Sequence, residues 1–189
     1  TDTKVYDGNT ASVVLPVVDD LQTGDVLTDP GIQTFDTKHV GTGKVLTPEA
    51  TVISDGNGGA NYAISYITDN TGVITQKGVT VNAVADAKIY DGTISSDGEP
   101  VIGPLAAGES VLNAPSQVFD NKHVGTGKVM TADGLTIQDA GSNDVTSNYL
   151  VTYLTNSEGI ISQRAISVTA QTDTKVYDGN TASVVLPVV

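Results

Sequence analysis

Residues 1–18, TDTKVYDGNTASVVLPVV, recur letter for letter at 172–189, and a variant phrase, KIYDG, stands between them at 88–92. Longer phrases repeat in the same order. FDTKHVGTGKVLT at 35–47 returns as FDNKHVGTGKVMT at 119–131, eleven of thirteen letters identical. NYAISYI at 61–67 returns as NYLVTYL at 148–154, and GVITQKGVTV at 72–81 as GIISQRAISV at 159–168. Such periodicity means a chain built from successive copies of one folding unit. The offset is 84 as far as Ile53 and Ile137, and 87 from Asn61 and Asn148 onward. Three residues therefore enter the second copy where SDGNGGAN faces QDAGSNDVTSN, both with the Gly, Asn and Asp content of a surface loop that tolerates length change. Because the first and third phrases are identical and the middle one differs, the larger period is 171 residues: two dissimilar modules in alternation.

Residues 1–77 form module one, 78–164 module two, and 165–189 the truncated start of a third. The boundary is placed in TQKGVTVNA and SQRAISVTA, where VTVNAVADA leads into KIYDG. Module one, which starts at Thr1 with no initiating Met, lacks that lead-in, so the chain reads as a piece of something longer. The tail 165–189 is a lead-in without a module. An unpaired strand is an open edge that recruits partners; the tail is expected to pack on module two or to pair with another chain.

Each module is long enough to fold around its own small core. Val, Thr and Ile abound, Asp-Gly and Asn-Gly pairs punctuate, and charged residues are too few for solvated helices. Tyr62, Ile64 and Tyr66 alternate onto one strand face, as do Val79, Val81 and Ala83, and Ile166, Val168 and Ala170. Short helical turns are conceded only near Thr23–Leu27 and Ala107–Leu112. The predicted fold is all-β, tandem Ig-like β-sandwich modules in an elongated array, with a β-grasp-like module carrying a short helix as the alternative.

Every basic residue has a counterpart: Lys4/Lys88/Lys175, Lys38/Lys122, Lys44/Lys128 and Lys77/Arg164. So do His39/His123 and all the aromatics, whereas Asp19, Asp20 and Asp29 oppose Gly103, Pro104 and Asn113. The cations and rings are therefore expected to hold specified places, and much of the acidity to be loosely placed surface charge. Three tyrosines and one phenylalanine per module are the predicted core anchors: Tyr6, Tyr62, Tyr66 and Phe35 in the first, Tyr90, Tyr149, Tyr153 and Phe119 in the second.

The four phrases, K-[VI]-Y-D-G-x-T, F-D-x-K-H-V-G-T-G-K-V, N-Y-x-[IV]-x-Y and G-x-I-[ST]-Q, resemble in order and spacing the YDG repeats of large bacterial surface adhesins of the filamentous-haemagglutinin-like kind. The second copy departs with DGTISS, where the first has DGNTAS. The resemblance implies an extracellular, non-enzymatic module on a bacterial cell surface or in a secreted exoprotein. Its implied role is a stalk or spacer that holds a binding tip away from the cell, the tip's ligand being unreadable from these residues. The alternative is an adhesive module that binds a glycan or a host protein through its loops.

The residues themselves offer little reactive chemistry. Tyr6, Asp7 and Gly8, with Tyr90, Asp91 and Gly92 and Tyr177, Asp178 and Gly179, read as a tyrosine plug followed by an Asp-Gly turn. One histidine per module beside a lysine is a poor ligand set, and no nucleophile–base pairing or carboxylate pair is visible. GTGK at 41–44 and 125–128 lacks phosphate-loop spacing and precedes a strand, so it reads as a turn. Neither an enzyme nor a bound cofactor is expected. Ca²⁺ is the one alternative, at Asp55 and Asn57 in the first loop and Asp139, Asn143 and Asp144 in the second, although neither loop has the D-x-[DN]-x-[DN]-G spacing. A Lys–Asn or Lys–Asp isopeptide at Lys4, Lys38 or Lys44 is a further, less favoured candidate. There is no cysteine. A net charge of −13 excludes nucleic acid and anionic membrane surfaces as partners. The longest apolar run, Val13–Val18, is broken by Pro16 and too short for membrane insertion. Neighbouring modules are the expected partners.

Overall fold

The computed structural model describes residues 1–188. Period-two alternation gives strands throughout, and the fold is all-β. Module one contributes β1 (Thr3–Val5), β2 (Val26–Asp29), β3 (Ile32–Phe35), β4 (Gly41–Glu49), β5 (Val52–Ser54) and β6 (Asp69–Thr75). The chain continues through β7 (Lys77–Asn82), β8 (Ala87–Ile89), β9 (Val101–Ile102), β10 (Ser110–Asn113), β11 (Ser116–Phe119) and β12 (Gly125–Asp133). It ends with β13 (Thr136–Gln138), a 3-10 turn at Thr146–Asn148, β14 (Tyr149–Leu154) and β15 (Asn156–Ser162).

The repeat in sequence is a repeat in topology. Four strands run β1-β6-β4-β3 in module one and β8-β15-β12-β11 in module two. In both, the first pair is parallel and the others antiparallel. The registers agree residue for residue: Gly41 faces Ile74 as Gly125 faces Ile161, and Leu46 faces Asp69 as Met130 faces Asn156. A two-stranded β2/β5 pair in module one is likewise matched by β10/β13. GTGK is not a turn before the strand but part of β4 and β12. Gly43 and Gly127, at φ of 67° and 69°, sit where the register slips, so each is the left-handed residue of a bulge. The short helices expected near Thr23–Leu27 and Ala107–Leu112, which the β-grasp-like alternative requires, are two-residue turns running into β2 and β10.

The modules differ in one sheet. In module two β7 lies between β14, to which it is parallel, and β9, to which it is antiparallel. In module one the counterpart of β14, residues 62–67, forms no strand. Tyr62, Ile64 and Tyr66 do alternate, but no strand is there to pair with them, and Ile64 and Tyr66 are exposed. Tyr66 is thus not the core anchor expected from its pattern, and Tyr177 in the tail is also exposed. Tyr6, Phe35, Phe119 and Tyr149 are buried, and Tyr62, Tyr90 and Tyr153 half-buried. One continuous cluster of buried side chains runs from Tyr6, Phe35, Leu46 and Ile74 of module one into Val79, Val81, Phe119, Met130 and Ile161.

The lysines of the KxYDG phrases do not point freely into solvent. Lys4 Nζ donates to Asp7 Oδ1 and to the carbonyls of Asn9 and Ala11. Lys88 repeats this with Asp91, Thr93 and Ser95, and Lys175 with Asp178, Asn180 and Ala182. The Asp carboxylate also accepts from the amide two residues on, and the Gly that follows it adopts φ of 85°, 87° and 80° in the three copies. Each phrase therefore encodes a loop that a lysine closes from inside. In the two complete modules the same ammonium lies 5.4 and 5.3 Å from the Phe35 and Phe119 ring centres, tying the loop to the core. Lys88→Met should keep the packed stem but strand two carbonyls and a carboxylate. A loss of about 2–4 kcal/mol in urea unfolding is expected, against a change within about 0.5 kcal/mol for the exposed Lys122→Met.

Candidate functional site

The residues that meet across the two modules come from the repeated phrases, and they form a junction. β6 ends at Thr75 and β7 begins at Lys77, so a single residue separates the last strand of one module from the first strand of the next. That residue, Gln76, donates from Nε2 to the carbonyls of Ser147 and Tyr149, both at 3.1 Å. The connection is therefore clamped on the second module at the point where it leaves the first.

Two further contacts flank the clamp. The KHV turn of module one presents Lys38 to Asp139 at 3.1 Å. Val40 N donates to Asn148 Oδ1 at 3.0 Å, and the Asn148 amide nitrogen lies 3.1 Å from His39 Nδ1. With its oxygen accepting from Val40, Asn148 turns its NH2 group toward the His39 ring. Asn148 is buried, and these contacts satisfy its side chain.

At the centre stand two tyrosines and one carboxylate. The Tyr6 hydroxyl donates to Glu109 Oε1, and the Tyr149 hydroxyl to Glu109 Oε2. The rings meet edge to face, 5.6 Å apart at 75°. Ala106 N donates to the Tyr149 oxygen at 2.8 Å. Gly8 abuts the same place: a Cβ there would lie 3.4 Å from Ala106 Cβ and from the Ala107 carbonyl. Burial, and then the hydrogen bond to Glu109, push the Tyr149 hydroxyl up to about 12 and Tyr6 higher still.

The loops considered for Ca²⁺ use their carboxylates otherwise. Asp55 accepts from the amides of Asn57, Gly59 and Asn61. Asp139 accepts from Gly141 N and from the amide and side chain of Asn143 while it pairs with Lys38. Asp144 caps Thr146 N. The Asn143 amide first and Lys38 second hold Asp139 down to about 2. Among the described residues no three His, Asp or Glu side chains gather as a metal would need. The oxygens that a cation would take are bonded to N–H groups, the geometry of a turn.

A family model of the YDG domain matches residues 1–71 and again 75–156. The chain belongs to the YDG domain family. No curated protein and no solved structure gives a match. The second YDG match opens just before β7, so the family unit includes the strand that the first module hands over.

Motif reading passed over Glu109 altogether, and it included Gln76 and Asn148 in the repeated phrases without assigning them to a junction. The signal for Glu109 was present: Asp25 holds the same register in the first YDG domain, one of the acids that does not drift. There Tyr62 donates to Asp25 Oδ2 at 2.6 Å and receives Gln22 N at 2.9 Å, the first domain's version of the Tyr149 arrangement. Asn61 likewise stands where Asn148 does.

The raised tyrosine values set the pH dependence of the paired YDG domains. A hydroxyl that keeps its proton in the fold but loses it near pH 10 when unfolded contributes stability that is full below about pH 10 and lost as pH rises toward 12. The thermal midpoint should therefore fall from pH 10 upward. Tyr149→Phe should flatten that fall and cost about 1–2 kcal/mol at pH 7. Circular dichroism melts at stepped pH check both; an unchanged alkaline slope in the variant would contradict the assignment.

Proposed function

We propose that these YDG domains are stalk or spacer modules of a bacterial surface adhesin: Ig-like sandwiches in series, each with added parallel strand pairs, carrying a binding tip outward. The observation that supports this best is the junction at Gln76. One residue joins β6 to β7, its side chain is bonded to the next domain, and a half-buried Tyr–Glu–Tyr contact and a Lys–Asp pair brace it. A connection without slack transmits direction, and transmitting direction is what a spacer must do. Repeat number then sets reach, at roughly 30 Å per domain for the nine-residue strands β4 and β12, and near-neighbour contacts make stability additive. The excess of acids over bases keeps successive domains from collapsing on one another.

An adhesive role through a ligand pocket has weaker support. The groove in module one has no open counterpart in module two, where β7 occupies the equivalent place. A site meant for a ligand in every repeat would be open in both.

Small-angle scattering distinguishes the readings. Arrays of two, four and six YDG domains should give a maximum dimension that grows linearly with domain number and a cross-section that does not change. A dimension growing with roughly the square root of domain number, as for flexibly joined beads, would contradict the spacer reading.

A further inference from the structure

Module one contains a slot shaped for a strand. Residues 14–21 form one wall and residues 62–67 the other, around a groove of about 620 Å³. These walls are the counterparts of β9 and β14, between which β7 lies in module two. The walls stand in place without a ladder between them. The Tyr62 hydroxyl is held by Asp25 and Gln22 N, and the Tyr66 hydroxyl accepts Thr51 N at 3.0 Å. Tyr149 and Tyr153 are anchored in the same way, by Glu109 and Ala106 N and by Leu135 N. The slot is thus preformed, and the apolar side chains of one wall are uncovered, with Ile64 and Tyr66 exposed.

The same chain carries the strand that fits. Residues 164–169, RAISVT, stand 87 positions after β7. In β7, Val79 and Val81 are buried; their counterparts Ile166 and Val168 are 72% and 59% exposed. The tail does not pack on module two, as one expectation had it. Apart from the half-buried Asp173, residues 163–188 are exposed, and the one backbone pairing of that segment among the described residues is with itself, Thr169 to Val188. Around it, the donor side of a second junction stands unpaired. Val124 is exposed where Val40 is half-buried, and Lys122 has no ion pair among the described residues where Lys38 has Asp139.

We propose that the slot of module one takes up residues 164–169 of a second copy of this chain as a parallel strand, in the register Tyr62 with Arg164 through Ile67 with Thr169. This is β7 on β14 transposed by 87 residues, the pairing Tyr149 with Lys77 through Leu154 with Asn82. The transposed junction sets Lys122 of the donor against Asp55, Val124 N against Asn61, and Tyr90 against Asp25 and Tyr62. Donor and acceptor surfaces differ from one another, so the contact is heterologous and builds open chains, or rings where the rotation between copies closes. The proposal concerns contact between chains and stands or falls separately from the spacer reading, which concerns contact within one.

Sedimentation velocity on the full chain, from micromolar to about 1 mM, tests it. The expected result is a series of species that lengthens with concentration. Val168→Asp, at an exposed position that leaves each fold intact, should weaken association at least about tenfold, one charge replacing a core methyl pair. A synthetic peptide of residues 163–171, QRAISVTAQ, should fill the slot and return the wild type to monomer. A single monomeric species throughout the range would overturn the proposal. So would association that Val168→Asp leaves unchanged while its melting curve matches the wild type, or association that the peptide leaves intact.

Discussion

The parallel pairing of β7 with β14 is the contact on which the rest of this structure depends. β14 has no other ladder partner among the described strands, so its six residues are a strand because Lys77–Asn82 lie beside them. Val79 and Val81 enter the core with that pairing, at about 1.5–3 kcal/mol for each fully buried side chain. Because β7 follows β6 after a single residue, a contact needed to complete the second domain is also the contact that fixes its direction. Completion and orientation are one event.

The three copies of KxYDG separate what is local from what is not. Lys175 closes its loop on Asp178, Asn180 and Ala182 in a tail that touches no core, in the same pattern as Lys4 and Lys88. Ser183 bonds Asp173 as Ser12 bonds Asp2 and Ser96 bonds Asp86. Eighteen residues therefore suffice to specify the loop. They do not suffice for burial: the tyrosine of the phrase is 1% exposed at position 6 and 94% at 177. Glu109 and Tyr149 of the following domain complete the burial of Tyr6, whereas Tyr90, with no such partners, is half-buried. The phrase is a preformed plug, and its socket lies one module downstream.

Much of this was legible in the sequence. The two offsets locate the modules and the loop that grows between them, and the pairing of every cation and ring marks side chains with assigned places. The failures share a cause. Residues 62–67 carry the same alternating pattern as β14, yet pattern records only which face a strand would bury and not whether a neighbour is present to pair with it. Thr23–Leu27 was conceded a helical turn on local grounds, whereas β5 draws the end of it into β2. GTGK was read as a turn because it lacks phosphate-loop spacing and precedes a strand, and only the register with β6 and β15 reveals a bulge. Glu109 was hidden among acids that drift between copies, since one carboxylate in many acquires its role from tyrosines far away in sequence.

Native-state hydrogen exchange on dilute monomer tests the dependence of β14 on its delivered strand most directly. Residues 63–67 and 150–154 are near-identical in pattern and differ in having a strand alongside. The account predicts that amides across 150–154 alternate, those bonded to β7 exchanging only through opening of the whole domain, while none across 63–67 gains such protection. Equal protection of the two segments would contradict it.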